Sequence, residues 1–214
     1  MRSKKTLIWD WNGTLLDDAE ICVYCINALL RKRNLKEITL QKYREVFTFP
    51  VVDYYREVGF DFEKEPFEIP AMEFIDLYHQ LLPKAPLFNN VEQTLSGFSD
   101  YKINQVILSA MEQNSLINTL KSNRIHHLFD QVFGIADHYA QGKLQRGMEL
   151  INRLNQPLDE IILIGDTLHD KEVAGHLGVE VVLIANGHQS KERLLKSGAR
   201  VLDSIGQLQE VLLN

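Results

Sequence analysis

The chain has 214 residues, a formal net charge of −6 and 45% hydrophobic residues. This length fits one domain or a core domain with a smaller insert, and the composition excludes a disordered or fibrous protein. The acidic balance argues against nucleic-acid binding, and the two basic clusters, at 2–5 and 31–36, are expected to be solvated. No stretch approaches the ~20 apolar residues of a membrane span, so we predict a cytoplasmic protein without membrane or nucleic-acid partners.

The first predicted element is a short apolar run over Thr6–Asp10, which is typical of a buried strand in a parallel sheet. Residues 18–85 then show helical periodicity with few strand signals, and prolines punctuate the later part. The predicted helices of this region are Ile21–Arg33, Leu40–Val46, Val51–Val58 and Ala71–Leu82. The pattern predicts a helical insert at 18–85 between two parts of a core domain, 1–17 and 86–214.

The two cysteines, Cys22 and Cys25, lie in the first of these helical runs. Their spacing resembles a zinc or redox site, but zinc needs two further ligands and a redox pair should open a helix after a strand. We therefore expect two small buried side chains.

From about residue 90, helices and strands alternate. The predicted helices are Val91–Phe98, Ser115–Lys121, Leu144–Leu154 and Lys171–Leu177, and the predicted strands are Gln105–Ser109, Gln131–Ile135, Glu160–Gly165 and Glu180–Ala185. This alternation predicts a doubly wound α/β core with a parallel sheet covered on both faces. Functional residues of such sheets lie at the carboxyl ends of strands, where Asp10, Ser109 and Asp166 all fall.

Asp10 ends the first predicted strand, and the turn Trp11-Asn12-Gly13 follows it. A carboxylate in this position can attack phosphorus and form an aspartyl phosphate. The N–H groups of the turn can cradle a phosphate or a developing oxyanion. The alternative, that Asp10 only starts a turn, is left open by this segment alone.

Asp166 and Asp170 form an acidic pair after the strand Glu160–Gly165. Together with Asp10 they predict an oxygen-rich pocket that suits Mg²⁺, because this ion binds one or two carboxylates and takes further oxygens from a substrate phosphate. Three such carboxylates would repel one another without a cation. The alternative for Asp170 is that it is the N-cap of a helix beginning at Lys171, a role compatible with binding a metal.

Two further polar side chains complete the candidate site. Ser109, with Ala110 beside it, can hydrogen-bond a phosphate oxygen, and Lys143 can neutralise phosphate charge and restrain Asp10. Alone, each is typical of a strand-end serine or a surface lysine. Their order along the chain makes them one coherent set.

In this order the motifs resemble those of the haloacid dehalogenase superfamily. Asp10-Trp11-Asn12-Gly13-Thr14 resembles the first motif, Asp-x-Asp-x-Thr; Leu108-Ser109 resembles the second, Lys143 the third, and Gly165-Asp166-Thr167-x-x-Asp170 the fourth. The segments Asn186-Gly187-His188 and Ser197-Gly198-Ala199-Arg200 are similar to phosphoglycolate-phosphatase-like members. The resemblance implies a Rossmann-like core, a helical cap domain at 18–85, and hydrolysis of a small phosphorylated metabolite by a monomer or homodimer.

The resemblance also implies roles for individual residues. It makes Asp10, Asn12 and Lys143 catalytic, and it gives phosphate binding to Trp11, Asn12, Gly13, Ser109, Ala110 and Lys143. The Mg²⁺ ligands it implies are Asp10, the Asn12 carbonyl, Asp166 and Asp170.

Asn12 departs from the family pattern, which has an aspartate acting as general acid and base at this position. An amide can neither protonate a leaving group nor accept a proton from water, and such help is typically worth ~10²–10⁴-fold in rate. The chain is then a slow phosphatase, a protein that keeps a long-lived aspartyl phosphate, or a non-catalytic protein that binds a phospho-ligand or partner. A fourth alternative is a phosphonate hydrolase, which would need a cap lysine; the candidates are Lys32, Lys36, Lys42 and Lys64.

Two histidines and an aromatic segment remain. We expect His169 to be a bystander at the pocket rim and His188 to be an ordinary loop residue. The aromatic segment 47–56 is expected mainly to pack inside the helical region, with Arg56 a candidate for contacting an anion.

Overall fold

The structure, a computed structural model, describes residues 6–135 and 142–213, so the basic cluster 2–5 lies outside the described residues. The strands are β1 (Thr6–Trp9), β2 (Asn104–Glu112), β3 (Gln131–Ile135), β4 (Ile161–Gly165), β5 (Glu180–Ile184) and β6 (Arg200–Leu202). The α-helices are α1 (Ala19–Lys32), α2 (Leu40–Val46), α3 (Val51–Glu57), α4 (Glu68–Leu81), α5 (Val91–Asp100), α6 (Gln113–Ser122), α7 (Gly142–Leu154), α8 (Leu168–Leu177), α9 (Lys191–Leu195) and α10 (Leu208–Leu213). Within this part of the chain no helix combines the length and apolar character that a bilayer crossing requires.

The six strands form one parallel sheet in the order β3-β2-β1-β4-β5-β6. This is the doubly wound order, and the direction of winding reverses between β1 and β4. Ligands of such sheets bind beyond the carboxyl ends of the strands at this switch point. The predicted α/β fold is therefore confirmed, and its topology brings the chain after β1 next to the chain after β4.

Alternating side chains of the central strands fill two separate cores. Leu7 and Trp9 of β1 point into one core, with α5 and α6, while Ile8 points into the other, with α7 and α8. All three side chains are buried. Burial on both faces explains why β1 has a continuous apolar sequence instead of an alternating one.

Helices α1 to α4 lie between β1 and α5 and pack around an apolar cluster of their own, centred on Ile26, Leu30, Tyr43, Tyr54 and Phe60. A separate cluster is what an inserted unit requires. The domain limits 18 and 85 remain a prediction.

The predicted elements agree with the structure to within three residues at most ends, and Leu40–Val46 and Gln131–Ile135 agree at both ends. Four features were not predicted. β2 continues past Ser109 to Glu112, and β6 together with the short helices α9 and α10 closes the chain. Cys22 and Cys25 are buried free thiols, as expected.

Candidate active site

The nucleophile candidate Asp10 extends the sheet by one residue beyond β1. Its N–H donates to the Ile164 carbonyl of β4 at 2.8 Å, so its position is fixed by strand pairing. The chain then turns, with Gly13 at a φ of +72°, a region that favours glycine. The Asp10 side chain is buried at the switch point.

Lys143, from the first turn of α7, holds the Asp10 carboxylate. Its ammonium nitrogen lies 2.5 Å from Asp10 Oδ1 and 2.6 Å from Asp170 Oδ1, and its side chain is only 4% exposed. Burial disfavours the charged ammonium, but the two carboxylates hold the pKa of Lys143 above its usual range. The structure thus brings together three of the predicted residues in one buried charge cluster.

Asp166 follows β4 and faces Asp10 across the switch point. The Thr14 hydroxyl lies 3.3 Å from Asp10 Oδ2 and 3.2 Å from Asp166 Oδ1, so it links the two carboxylates. The main-chain N–H of His188 donates to Asp166 Oδ2 at 2.6 Å. A Cβ atom at Gly187 would collide with the same carboxylate, so this close approach requires glycine.

The prediction that Asp170 caps a helix beginning at Lys171 is wrong. α8 begins at Leu168, its N-cap is Thr167, and Asp170 is the third helical residue of a capping box. Asp170 Oδ2 accepts from the Thr167 hydroxyl at 2.6 Å, the Thr167 N–H at 3.0 Å and the Asp166 N–H at 3.2 Å. The side chain therefore orders the loop that carries Asp166.

The three carboxylates form a donor set that fits a hard divalent cation. Each of Asp10, Asp166 and Asp170 offers an oxygen, and these oxygens lie within 4.8 Å of one another. A carboxylate has about four acceptor sites. Asp170 already accepts four hydrogen bonds. Asp10 accepts one from Lys143 and Asp166 one from the His188 N–H, and the two share the single proton of the Thr14 hydroxyl. Asp10 and Asp166 are thus the better direct ligands, and Asp170 positions them.

The pKa values of the three carboxyl groups also separate Asp10 and Asp166 from Asp170. Burial raises the pKa of Asp166 to about 8, and the charges of Asp10 and Asp170 add to that effect. Burial, together with Asp170, also raises the pKa of Asp10 to about 6 in spite of Lys143. Burial acts on Asp170 as well, but the Lys143 charge outweighs it and holds the pKa of Asp170 low. The two carboxylates with spare acceptor sites are those whose ionised forms are only partly compensated, and a bound cation would add the missing compensation.

Ser109 and Ala110 lie on β2 where its pairing with β3 becomes irregular, between Leu108 and Glu112. The Ser109 hydroxyl accepts the Met111 N–H at 3.0 Å, and Ser109 and Ala110 both line the cavity above Asp10. The hydroxyl proton is not used in that bond. It can be donated to an oxygen in the cavity.

In the turn after Asp10, one residue, Gly13, does not have its N–H group free for the predicted phosphate contact. The Gly13 N–H donates to the Leu16 carbonyl at 2.9 Å and to Asp18 Oδ1 at 3.0 Å. It is therefore committed inside the chain and does not fit the predicted phosphate contact. Among the described residues no acceptor takes the N–H groups of Trp11 and Asn12, which leaves them for a ligand.

A buried polar network beside Asn12 was missed by the sequence analysis. Asp18 Oδ2 accepts from Asn12 Nδ2 at 3.0 Å and from the Tyr78 hydroxyl at 2.7 Å. Asp18 Oδ1 lies 3.3 Å from His188 Nε2, and His188 Nδ1 lies 2.9 Å from the Tyr43 hydroxyl. His188 does lie in a loop, as predicted, but it is buried and joins the first-motif turn to α2 and to Asp166.

The two ionisable groups of this network, Asp18 and His188, are both charged in the folded chain. Burial acts against the charged imidazolium, but Asp18 outweighs it and raises the pKa of His188 to about 9. Burial likewise acts against ionised Asp18, but His188 and the hydrogen bonds of Tyr78 and Asn12 hold its pKa low. The pair is thus ionic at neutral pH.

The cavity above Asp10 has a volume of about 260 Å³, and aromatic side chains from the helical region cover it. His169 lines it and packs against Phe49 with ring centroids 4.6 Å apart. Arg56 instead pairs with Asp53 and does not line the cavity. The candidate imine-forming lysines also lie elsewhere, which disfavours the phosphonate-hydrolase alternative; they are Lys32, Lys36, Lys42 and Lys64.

Comparisons with known proteins identify the family and the fold of the chain. The family model for haloacid dehalogenase-like hydrolases matches residues 7–184. A haloacid dehalogenase-like hydrolase from Streptococcus pneumoniae is 18% identical with a TM-score of 0.83, covering 99% of both chains. A predicted phosphatase from Clostridium acetobutylicum is 22% identical with a TM-score of 0.77, covering 98% of both chains. A predicted phosphoglycolate phosphatase from Haemophilus somnus is 16% identical with a TM-score of 0.77, covering 99% of both chains.

At such low identities, the structural similarity to these proteins shows a shared fold and no more. No curated protein sequence matches the chain. The family match spans most of the chain and includes the segments that carry Asp10, Ser109, Lys143 and Asp166. The chain therefore belongs to the haloacid dehalogenase-like hydrolase family.

Proposed function

We propose that the chain is a Mg²⁺-dependent phosphatase that hydrolyses a small phosphate monoester through an aspartyl phosphate on Asp10. The observation that carries the proposal is the buried cluster in which Lys143 holds Asp10 beside Asp166 at the switch point of the sheet. Hydrolysis of a small chromogenic phosphate ester that stops in EDTA and resumes with Mg²⁺ would support it. Equal hydrolysis in EDTA would contradict it.

In the proposed reaction the restrained Asp10 carboxylate attacks phosphorus in line with the leaving oxygen. Lys143, the Ser109 hydroxyl and the N–H groups of Trp11 and Asn12 bind the other phosphoryl oxygens. Water then hydrolyses the aspartyl phosphate. Mg²⁺, held by Asp10, Asp166 and the Asn12 carbonyl, would neutralise carboxylate charge and polarise the phosphoryl group.

The helical region would serve as the cap of this site. α2 contacts the loop after β5 through Arg44, whose guanidinium donates to the carbonyls of Asn186 and Gly187 at 2.8 Å each. The Tyr43 hydroxyl bonds His188 in the same loop. Closure of this region over the phosphate would exclude bulk water from the aspartyl phosphate.

The stability of the metal-free protein should fall as the pH rises from 5 to 9. The folded-state pKa values of about 6 for Asp10, about 8 for Asp166 and about 9 for His188 all lie above the ordinary values of 3.8, 3.8 and 6.5. Between about pH 4 and 9 the folded state therefore holds more protons than the unfolded state, and each extra proton favours folding only while it stays bound. Asp18 and Asp170, whose pKa values are lowered, affect stability only at more acidic pH.

Melting temperatures in EDTA should show this decline. Mg²⁺ binds the ionised carboxylates, so its addition should raise the melting temperature more at pH 8 than at pH 5. We expect a gain of about 3 °C or more at pH 8, the shift that ~1 kcal/mol produces in a chain of this size. The same gain at both pH values would argue against binding at these carboxylates.

Replacing Asn12→Asp should raise turnover about tenfold or more. The new carboxylate would lie beside Asp18, since Asn12 Nδ2 is 3.0 Å from Asp18 Oδ2. His188 keeps the pKa of Asp18 low, so the introduced aspartate is the member of the pair whose pKa rises. A carboxyl group that retains its proton near neutral pH can protonate a leaving oxygen.

Steady-state kinetics on a phosphate monoester would measure the change. The matched control is Asn12→Ala, which removes the same hydrogen bonds without supplying an acid, and it should not gain activity. An unchanged or lower rate for a folded Asn12→Asp protein would show that the missing acid does not limit turnover.

A further inference from the structure

The cavity above Asp10 presents an aromatic wall to any bound ester. We define this aromatic wall as Phe47, Phe49, Tyr54, Phe74 and Tyr78, all of which line the cavity. Phe47 packs edge-on against Phe49 and Tyr54 at centroid distances of 5.4 and 5.3 Å, and Phe74 stacks on Tyr78 at 6.0 Å. An aromatic lining of this kind favours an apolar, planar partner.

The same cavity offers little to a second anionic group. Within the described residues no arginine lines it, and its lysine, Lys143, already bridges Asp10 and Asp170. A carboxylate or second phosphate buried there would need a cation or several donors of its own. His188 also lines the cavity, but its charge is already paired with Asp18 at 3.3 Å. The cavity therefore favours a substrate whose part beyond the phosphate is uncharged.

Asn12 restricts the leaving group through its chemistry. Its side-chain amide is bonded to Asp18 and Tyr78 and cannot supply a proton. A leaving oxygen must then depart as an anion. A phenol, with a pKa of about 10, forms a far more stable anion than an aliphatic alcohol, whose pKa lies near the ~15.7 of water.

Two polar groups in the cavity still lack partners. The Tyr54 hydroxyl and the His169 Nε2 are both buried without a hydrogen bond in the described part of the chain. Tyr54 is only 2% exposed. Buried polar atoms are normally satisfied, so a polar substituent of a ligand would satisfy these two atoms once their side chains turn toward the cavity that both residues line.

We infer that the substrate class is an aryl phosphate monoester, whose ring packs against the aromatic wall while its phosphate meets Asp10. The inference rests on the proposed phosphatase function and names its substrate. Asp10 forms a bond to phosphorus as the bond from phosphorus to the aryl oxygen breaks. The phenolate leaves with the electron pair and takes a proton from water, and a second water releases phosphate from Asp10.

Binding tests the inference without requiring turnover. Phenylphosphonate and methylphosphonate cannot be hydrolysed at their carbon–phosphorus bonds by this route and differ only in the ring. With saturating Mg²⁺, calorimetry should show that phenylphosphonate binds about tenfold more tightly or better. Equal affinities would overturn the aryl class alone, and absence of binding by both would overturn the phosphate site together with this inference.

Substitutions in the aromatic wall test whether it contacts the phenyl ring of the ligand. The quantity compared is the ratio of the phenylphosphonate and methylphosphonate affinities. Phe49→Ala, and separately Phe74→Ala, should reduce the affinity ratio to about threefold or less. Phe62→Ala is the matched control, because Phe62 packs on Phe60 and Phe67 away from the cavity, and it should preserve the ratio. A ratio that both wall variants leave unchanged would overturn the contact.

Leaving-group chemistry is tested by comparing phenyl phosphate with benzyl phosphate, which carry the same ring on oxygens of different basicity. We expect kcat/KM to be at least about 10²-fold higher for phenyl phosphate, the scale of a missing general acid. Asn12→Asp should narrow this ratio by accelerating the benzyl ester selectively. Equal kcat/KM values in the unsubstituted protein would overturn the leaving-group argument.

Discussion

Asp10→Asn should lower phosphatase turnover by about 10⁴-fold or more, to the background of the assay. The amide has almost the same shape as the carboxylate but cannot attack phosphorus, and losing a nucleophile has an effect of this size in other covalent enzymes. Steady-state hydrolysis of a chromogenic phosphate ester with Mg²⁺ measures the loss. Metal-independent turnover by the variant would defeat the mechanism.

The variant should nevertheless fold. Burial already disfavours ionised Asp10, and Lys143 retains its second partner, Asp170, at 2.6 Å. We therefore expect a melting temperature in EDTA close to that of the unsubstituted protein. This control separates a lost nucleophile from a lost fold, because an unfolded variant would be inactive for a trivial reason.

Lys143→Met should destabilise the metal-free protein by about 3 kcal/mol or more at pH 8. The change removes the positive partner of two buried carboxylates, Asp10 and Asp170, and unpaired buried charges are costly. Lys143 lowers the pKa values of both carboxyl groups, so both rise in the variant. At pH 8 the variant must then either bury unpaired charge or bind protons against the solvent pH, and both cost stability. Urea denaturation in EDTA measures the loss, and Mg²⁺ should restore part of it.

Lys64→Met is the matched control for this prediction. Lys64 pairs with Asp61 at 2.8 Å, but its side chain is 83% exposed, so water already screens the pair. Its replacement should leave the denaturation midpoint nearly unchanged. A similarly small effect of Lys143→Met at pH 8 would show that the buried cluster is not held by this ammonium.

Local sequence patterns predicted most of the helices and strands, and they singled out Asp10, Asp166 and Asp170 as candidate site residues. A helix such as α2 depends on apolar spacing and a Thr39 cap within its own sequence, so its limits could be predicted closely. The convergence of Asp10 and Asp166 followed from a rule of topology, because strands that alternate with helices become parallel neighbours.

The missed features depend on contacts between distant segments. Tyr43 and His188 are 145 residues apart. His188 contacts both Tyr43 and Asp18 only because α2, the start of α1 and the loop after β5 meet at the site. No periodicity in the sequence encodes such a meeting. Gly187 offered a signal, since a glycine beside a polar loop residue often marks close backbone packing.

Asp170 and Gly13 show a different difficulty. Both are candidate site residues, but Asp170 is the third residue of a capping box and the Gly13 N–H is committed inside the chain. The prediction made Asp170 the N-cap of α8, whereas the structure makes it the third helical residue. The two assignments differ by about one turn of helix in where α8 begins. The pattern Thr167-x-x-Asp170 is itself a capping-box signature, so the residue types did carry the signal for this role.

The most direct test of the account is to mix the protein with acetyl phosphate and Mg²⁺ and to map any covalent phosphate by mass spectrometry of acid-quenched digests. We predict one phosphoryl group on the peptide that contains Asp10, absent after Asp10→Asn and absent in EDTA. Steady hydrolysis of a phosphate ester with no such adduct, or an adduct on another residue, would contradict the assignment of Asp10 as the nucleophile.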